Sequence, residues 1–228
     1  MKDLFYALDI TPLLTDAALY DRAAACVSAD RRERLDRIKV ERERCLSLGG
    51  ALLLRHALRE YGAGEPTLAY GEHGKPFLPN LPGVHFNISH SGDYAVCAVS
   101  SLPVGCDIER IRPFSRRVAE RCFSPEELSA LNAPADEAAR TGLFFRFWTL
   151  KESFLKCVGC GITEPLSSVS FDLSGEAPRV TQPLSGERYA FREYADLPGH
   201  RCALCREGEG PFPSLTVLPV AALLPGFS

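Results

Sequence analysis

One pattern occurs twice in this chain. Gly92-Asp93-Tyr94-Ala95-Val96-Cys97 is echoed by Gly199-His200-Arg201-Cys202-Ala203-Leu204-Cys205. Each time a glycine turn opens an apolar run with strand character. A long stretch of helical periodicity precedes each, within residues 15–61 and then over 137–158. The echo predicts an α+β fold of two pseudo-symmetric halves, each a small antiparallel sheet packed with helices. We expect the halves to divide as 1–103 and 104–228. A length of 228 residues suits one compact unit made of two such halves better than two full-sized domains.

Local signals fill in the elements. Residues 1–11 read as a strand, with Leu4, Tyr6 and Leu8 alternating against Phe5, Ala7 and Asp9. Residues 15–61 read as mostly helix, its apolar part closing at Gly62 and Gly64. Residues 65–83 are rich in proline and glycine and read as turns. Strands are expected over 84–89 and 94–100 around a tight turn, His90-Ser91-Gly92-Asp93, and another begins at 106–109. Ser124-Pro125-Glu126-Glu127 carries an N-cap, a proline at the first helical position and a capping-box glutamate. The helix over 137–158 stops at Gly159 and Gly161, and residues 167–228 alternate short strands with turns.

Composition excludes several classes. With 26 basic and 29 acidic residues the net charge is −3, which argues against a protein that grips a nucleic-acid backbone. No run approaches the ~20 apolar residues of a membrane span. The N-terminus lacks the pattern of a secretory signal, so a cytoplasmic protein is expected. Nine cysteines, an odd number, suit buried or free thiols better than a disulfide framework.

Four short elements carry chemistry. In Gly105-Cys106-Asp107-Ile108-Glu109, strand alternation places Asp107 and Glu109 on one face and turns Ile108 into the core. Two such acids suit Mg²⁺ with phosphate oxygens, or are a solvated strand face. In Trp148-Thr149-Leu150-Lys151-Glu152-Ser153-Phe154-Leu155-Lys156, Glu152 and Lys156 are one helical turn apart. They read as a surface ion pair, or as a metal ligand or base beside a phosphate-binding cation. Phe86-Asn87-Ile88-Ser89-His90-Ser91-Gly92-Asp93 offers backbone N–H groups, a hydroxyl and an imidazole to an anion, or is a fragment of a hydrolase site, or an ordinary hairpin. Gly74-Lys75-Pro76 is no P-loop, and its lysine is ordinarily solvated. Cys157-x-x-Cys160 and Cys202-x-x-Cys205 are packing thiols or, less consistently with a strand at 202–205, zinc ligands.

Taken in order, GKPFL, FNISHSGDYAVCAVS, VGCDIE and FWTLKESFLK span the chain and resemble the 4′-phosphopantetheinyl transferase superfamily, in its larger, single-chain type that activates peptide and polyketide synthases. The resemblance implies transfer of the phosphopantetheine arm of coenzyme A to a serine of an acyl or peptidyl carrier protein. Adenosine 3′,5′-bisphosphate leaves. It implies an active site between the halves, with the coenzyme A side in 1–103 and the metal side in 104–228. It implies Mg²⁺, with Mn²⁺ as a substitute, on Asp107, Glu109 and Glu152. Glu152 is the implied base, with Asp107 and Lys156 catalytic beside it. Lys75, Ser89, His90 and Lys156 are implied phosphate contacts, and Arg31, Arg34 and Arg44 contacts of the 3′-phosphate end. Arg110, Arg112, Arg116, Arg117 and Arg121 suggest a dock for an acidic carrier, or a solvated helix face. A monomer that touches neither membrane nor nucleic acid completes the expectation. The rivals are a coenzyme A or carrier binder without activity, a zinc-stabilised module, and a Mg²⁺-dependent nuclease or phosphohydrolase.

Overall fold

A computed structural model describes residues 3–71, 74–159 and 166–225. In chain order the elements are β1 (Leu4–Asp9), α1 (Thr11–Thr15), α2 (Ala17–Ala24), α3 (Ala29–Asp36), α4 (Glu41–Glu60), β2 (Ala69–Tyr70), β3 (Pro76–Phe77), β4 (His85–Ser91), β5 (Tyr94–Ser100), β6 (Val104–Arg110), α5 (Arg116–Cys122), α6 (Pro125–Asn132), α7 (Glu137–Val158), β7 (Ser170–Asp172), β8 (Arg179–Thr181), β9 (Tyr189–Tyr194), β10 (His200–Glu207) and β11 (Leu215–Val217).

The fold is α+β, and the echo has a structural counterpart. The first sheet runs β11-β1-β5-β4 and the second β6-β10-β9. In both, the strand that follows a left-handed glycine, Gly92 or Gly199, is flanked by two antiparallel partners. In both, a long helix packs on one face: α4 on the first sheet and α7 on the second.

Strand alternation explains the layering. Leu4, Tyr6 and Leu8 face the core under α4, whereas Phe5 and Ala7 face a second core. That second core lies between the sheets and takes Val96 and Ala98 from one, and Cys106, Ile108, Cys202 and Leu204 from the other. Ala203 and Cys205 point the opposite way, into the aromatic core beneath α7. Each sheet is therefore covered on both faces, which is why its central strands read as nearly unbroken apolar runs. Ile108 is buried in the core, where alternation put it.

Three expectations need revision. The segment over 15–61 is broken into separate helices because Asp16 and Ser28 each cap a new one, accepting from Leu19 N and Arg31 N. His90 and Ser91 are strand residues, since Ser91 pairs with Tyr94; the turn is only Gly92-Asp93, with Gly92 at φ 60°. The last strand, β11, lies parallel to β1, so this part of 104–228 belongs to the first sheet. The capping box at Ser124 and Glu127 is present, and Gly159 ends α7 in the left-handed region. Gly161 lies outside the described residues.

Candidate active site

β4 and β6 are the edges of their sheets, and they meet. The bonds recorded between them run through side chains. Cys106 N donates to Asn87 Oδ1 at 2.9 Å, Ile108 N to Ser89 Oγ at 3.3 Å, and Arg110 N to Ser91 Oγ at 3.1 Å. The three polar residues are two apart, so one face of β4 forms a ladder of rungs onto β6. This brings the Ser-His-Ser and Asp-x-Glu segments together.

Asp107 lies at the centre and is 4% exposed. Its Oδ1 accepts from Ser89 Oγ at 2.9 Å and pairs with Lys156 Nζ at 2.6 Å. Its Oδ2 is buried with no partner. Burial pushes the carboxyl up to about 6 although Lys156 pulls it down, and Glu152 adds to the rise. Burial alone would lower the Lys156 ammonium; Asp107, with Glu152 adding to it, outweighs that and raises it. Lys156 reaches across to Asp107 on β6 instead of pairing with its helical neighbour Glu152.

Glu109 shares the Asp107 face, as alternation required. Its Oε2 accepts from Ser91 Oγ at 2.9 Å and from Arg112 Nη1 at 3.3 Å. Glu152 is raised by burial, relieved by Lys156 and raised again by Glu109. Among the described residues no group of three His, Cys, Asp or Glu side chains closes into a ready-made metal cage. The site instead has three carboxylates, with Glu152 raising Asp107 and Glu109 raising Glu152, one buried oxygen lacking a partner, and the Lys156 ammonium among them. The carboxylates are hard oxygen donors, and this donor set and charge fit a hard dication such as Mg²⁺.

α7 can bring Glu152 and Lys156 to β6 because Gly105 has no side chain. A Cβ there would sit 2.1 Å from Ser153 O and 2.4 Å from Cys157 N. Lys75 reaches the C-terminal end of the same helix, donating to Cys157 O at 2.9 Å. His90 points to the other face of β4 and is exposed, and its imidazole sits below its ordinary value through partial burial and the like charges of Lys156 and Arg31, against Glu43.

The arginines divide. Arg31 is close enough to act on His90, and its guanidinium donates to Ser47 O and Oγ, each at 2.8 Å. Burial lowers Arg31, and its Nε has no partner. Arg34 bonds Tyr70, which pairs with Pro76 beside Lys75. Arg44 lies over the ring of Tyr20, 5.6 Å from its centre, and no contact joins it to the others. Arg42 is held by Asp93 at the hairpin tip.

Two alternatives lose their basis. Ser89 and His90 point to opposite faces, so they form no nucleophile–base pair. Cys202 lies between the sheets, whereas Cys157, on α7, and Cys205 face the core between that helix and its sheet, so these three share no ion; Cys160 lies outside the described residues. Lys151 is turned away from the site and buried, pairing with Glu127 Oε2 at 2.7 Å. Sequence reasoning missed the roles of Asn87, Ser91 and Gly105. A strand with polar residues at every second position and no solvent to face was the available signal.

Comparison with known proteins finds relatives along most of the chain. A family model described as 4′-phosphopantetheinyl transferase superfamily matches residues 103–205, and one described as 4′-phosphopantetheinyl transferase, N-terminal, matches 15–102. A 4′-phosphopantetheinyl transferase of Bacillus subtilis is 39% identical over 189 residues, covering 81% of this chain and 84% of that protein. The 4′-phosphopantetheinyl transferase Sfp of Bacillus subtilis strain 168 is 35% identical with the same coverage. The transferase gsp of Aneurinibacillus migulanus is 30% identical over 211 residues, 91% of this chain and 86% of that protein.

Proposed function

Because the chain belongs to the 4′-phosphopantetheinyl transferase superfamily, we propose that the seam of β4, β6 and α7 is where it performs that transfer. The enzyme moves the phosphopantetheine arm of coenzyme A to a carrier-protein serine. The observation that carries the assignment is Asp107, buried with one oxygen on Lys156 and the other unpartnered.

In this reading the serine oxygen forms a bond to the phosphorus that bears the pantetheine arm. The bond from that phosphorus to the bridging oxygen breaks, and adenosine 3′,5′-bisphosphate leaves. The serine proton passes to Glu152, directly or through water; burial raises this carboxylate and makes it a better base. Lys156 and Lys75 supply positive charge to the pyrophosphate, and His90, Arg31 and Arg34 extend the cationic side toward the 3′-phosphate. Arg44 belongs to this set only if bound coenzyme A draws it from Tyr20.

Asp107, Glu109 and Glu152 would hold Mg²⁺, with Mn²⁺ as substitute. The bound ion would offset the repulsion of the acids and stabilise charge on the leaving phosphate. Ser89 is proposed as a phosphate contact too, for which one of its present partners gives way. Its hydroxyl has one proton and two lone pairs, and Asp107, Lys156 and Ile108 N take all three.

The same proposal keeps residues 1–103 as the coenzyme A side and 104–228 as the metal side, with β11 crossing back. It includes a cytoplasmic monomer free of membrane and nucleic acid. No helix among the described residues is long and apolar enough to cross a membrane. Arg110, Arg112, Arg116, Arg117 and Arg121 are exposed and form the proposed dock for an acidic carrier.

Intact-mass spectrometry of apo acyl and peptidyl carriers tests the reading. Incubation with enzyme, coenzyme A and Mg²⁺ should add one phosphopantetheine, and chelation should abolish the gain. No gain on any carrier, while coenzyme A binds, would reduce the protein to a binder. Charge reversal at Arg116 and Arg117 should raise the KM for carrier; an unchanged KM removes the dock.

A further inference from the structure

Ser89 and Ser91 repeat one arrangement. Each donates its hydroxyl proton to a carboxylate on β6, Ser89 to Asp107 Oδ1 and Ser91 to Glu109 Oε2, both at 2.9 Å. Each also accepts from the backbone N–H of the residue after that carboxylate, Ile108 or Arg110. The serine is thus fixed by the β6 backbone while it fixes the β6 side chain. Asn87 forms the third rung, to Cys106 N at 2.9 Å, but Cys106 brings no carboxylate. The ladder therefore has two rungs that join the sheets and aim an acid, and one that only joins.

We infer that Ser89 and Ser91 are positioning residues for the paired acids, and that Ser91, through Glu109, sets how tightly the site takes up a divalent cation. The inference rests on the metal reading above. A carboxylate aimed by a hydroxyl loses less rotamer freedom when an ion arrives, and the hydroxyl holds one of its oxygens while leaving the other for the ion. Glu109 needs this more than Asp107, because Asp107 is buried and paired with Lys156 whereas Glu109 is at the mouth of the seam. Its other contact, Arg112, has a largely exposed side chain. Strand alternation enforces the match: polar residues two apart on β4 meet acids two apart on β6 in the same register.

The test measures Mn²⁺ uptake by electron paramagnetic resonance of the free ion, with coenzyme A present and no carrier. The proteins are the parent chain, Ser91→Ala, Ser91→Thr and Asn87→Ser. Loss of such an outer partner typically weakens metal affinity about 10–100-fold, and Ser91→Ala should fall in that range. Ser91→Thr keeps the hydroxyl and should restore most of it. Asn87→Ser should lower the melting temperature by weakening the joint, yet bind Mn²⁺ like the parent. Turnover should follow Mn²⁺ affinity, with the KM for carrier unchanged. Parental affinity in Ser91→Ala would overturn the inference while leaving the metal reading intact. Equal losses in Ser91→Ala and Asn87→Ser would overturn it too, by showing a purely structural joint. A parent chain that takes up no Mn²⁺ would sink the metal reading and this inference together.

Discussion

Lys156 Nζ lies 2.6 Å from Asp107 Oδ1 and 3.0 Å from Ser89 Oγ, and so ties α7 to both strands of the seam. It is the cation paired with the buried acid Asp107, and the account also gives it the pyrophosphate. Lys156→Ala should weaken coenzyme A binding by roughly ten- to a hundredfold, the scale of a lost hydrogen bond to a charged group. Calorimetric titration of coenzyme A into metal-free protein checks this. An unchanged affinity would remove Lys156 from the phosphate site.

Asp107 must be ionised to hold a metal, and burial pushes its carboxyl up to about 6, with Lys156 pulling it back. Mn²⁺ affinity should therefore level off above pH 6 and fall by about tenfold per unit below it, as protons compete for the ligand. Glu152, also raised, steepens the fall. The effect on stability has the opposite sign. The folded chain holds the Asp107 proton more tightly than the unfolded chain, whose ordinary value is 3.8, so this group adds stability to the metal-free fold as pH drops from about 6. Its penalty is complete above that pH. Mn²⁺ titrations at a series of pH values decide the point, and a flat affinity across pH 6 contradicts it.

Gly105 sets the distance between α7 and β6. Backbone atoms of Ser153 and Cys157 stand 2.1 and 2.4 Å from where a Cβ would be, and backbone cannot swing aside. Gly105→Ala must push the helix off the strand and carry Glu152 and Lys156 with it. We expect a loss of about 1–3 kcal/mol or more in unfolding free energy, the cost of overpacking, together with weaker Mn²⁺ binding. A parental denaturation curve would show that the contact relaxes freely.

Lys151 and Glu127 are an internal pair, with side chains 1% and 0% exposed. Leu166 O and Val169 O accept from the lysine, while Ser124 N and Phe171 N donate to the glutamate. Lys151→Met leaves a buried charge without its partner and should cost about 3–5 kcal/mol. Adding Glu127→Gln to it should recover part of that loss by removing the buried charge, although the single amide oxygen keeps only one of the two backbone donors, Ser124 N or Phe171 N. Urea denaturation of the single and double variants measures this; a double variant as unstable as the single one contradicts it.

The sequence made the sheets and long helices legible because their signals are local: glycine turns, alternation, a capping box. It also paired Asp107 with Glu109 on one face. It did not show that Lys156 would choose Asp107 over Glu152 one turn away, because that choice depends on how close α7 lies to β6. It did single out Lys156 and not Lys151, and the two turn apart on one helix, Lys156 to Asp107 and Lys151 to Glu127. The strand range of His90 and Ser91 was obscured by turn-forming neighbours, and the pairing of β11 with β1 by its distance along the chain. Ser91 was visible only as part of a turn, and its role needs the second sheet edge beside it.

The central claim is that transfer occurs at the seam that carries Asp107, Glu109 and Glu152. Its most direct test is the anomalous scattering of manganese in crystals grown with Mn²⁺ and coenzyme A. The account predicts one strong peak within ligand distance of Asp107 Oδ2, with Glu109 and Glu152 turned toward it and the pyrophosphate alongside. A peak elsewhere, or a bound pyrophosphate with no metal at these three acids, would contradict it.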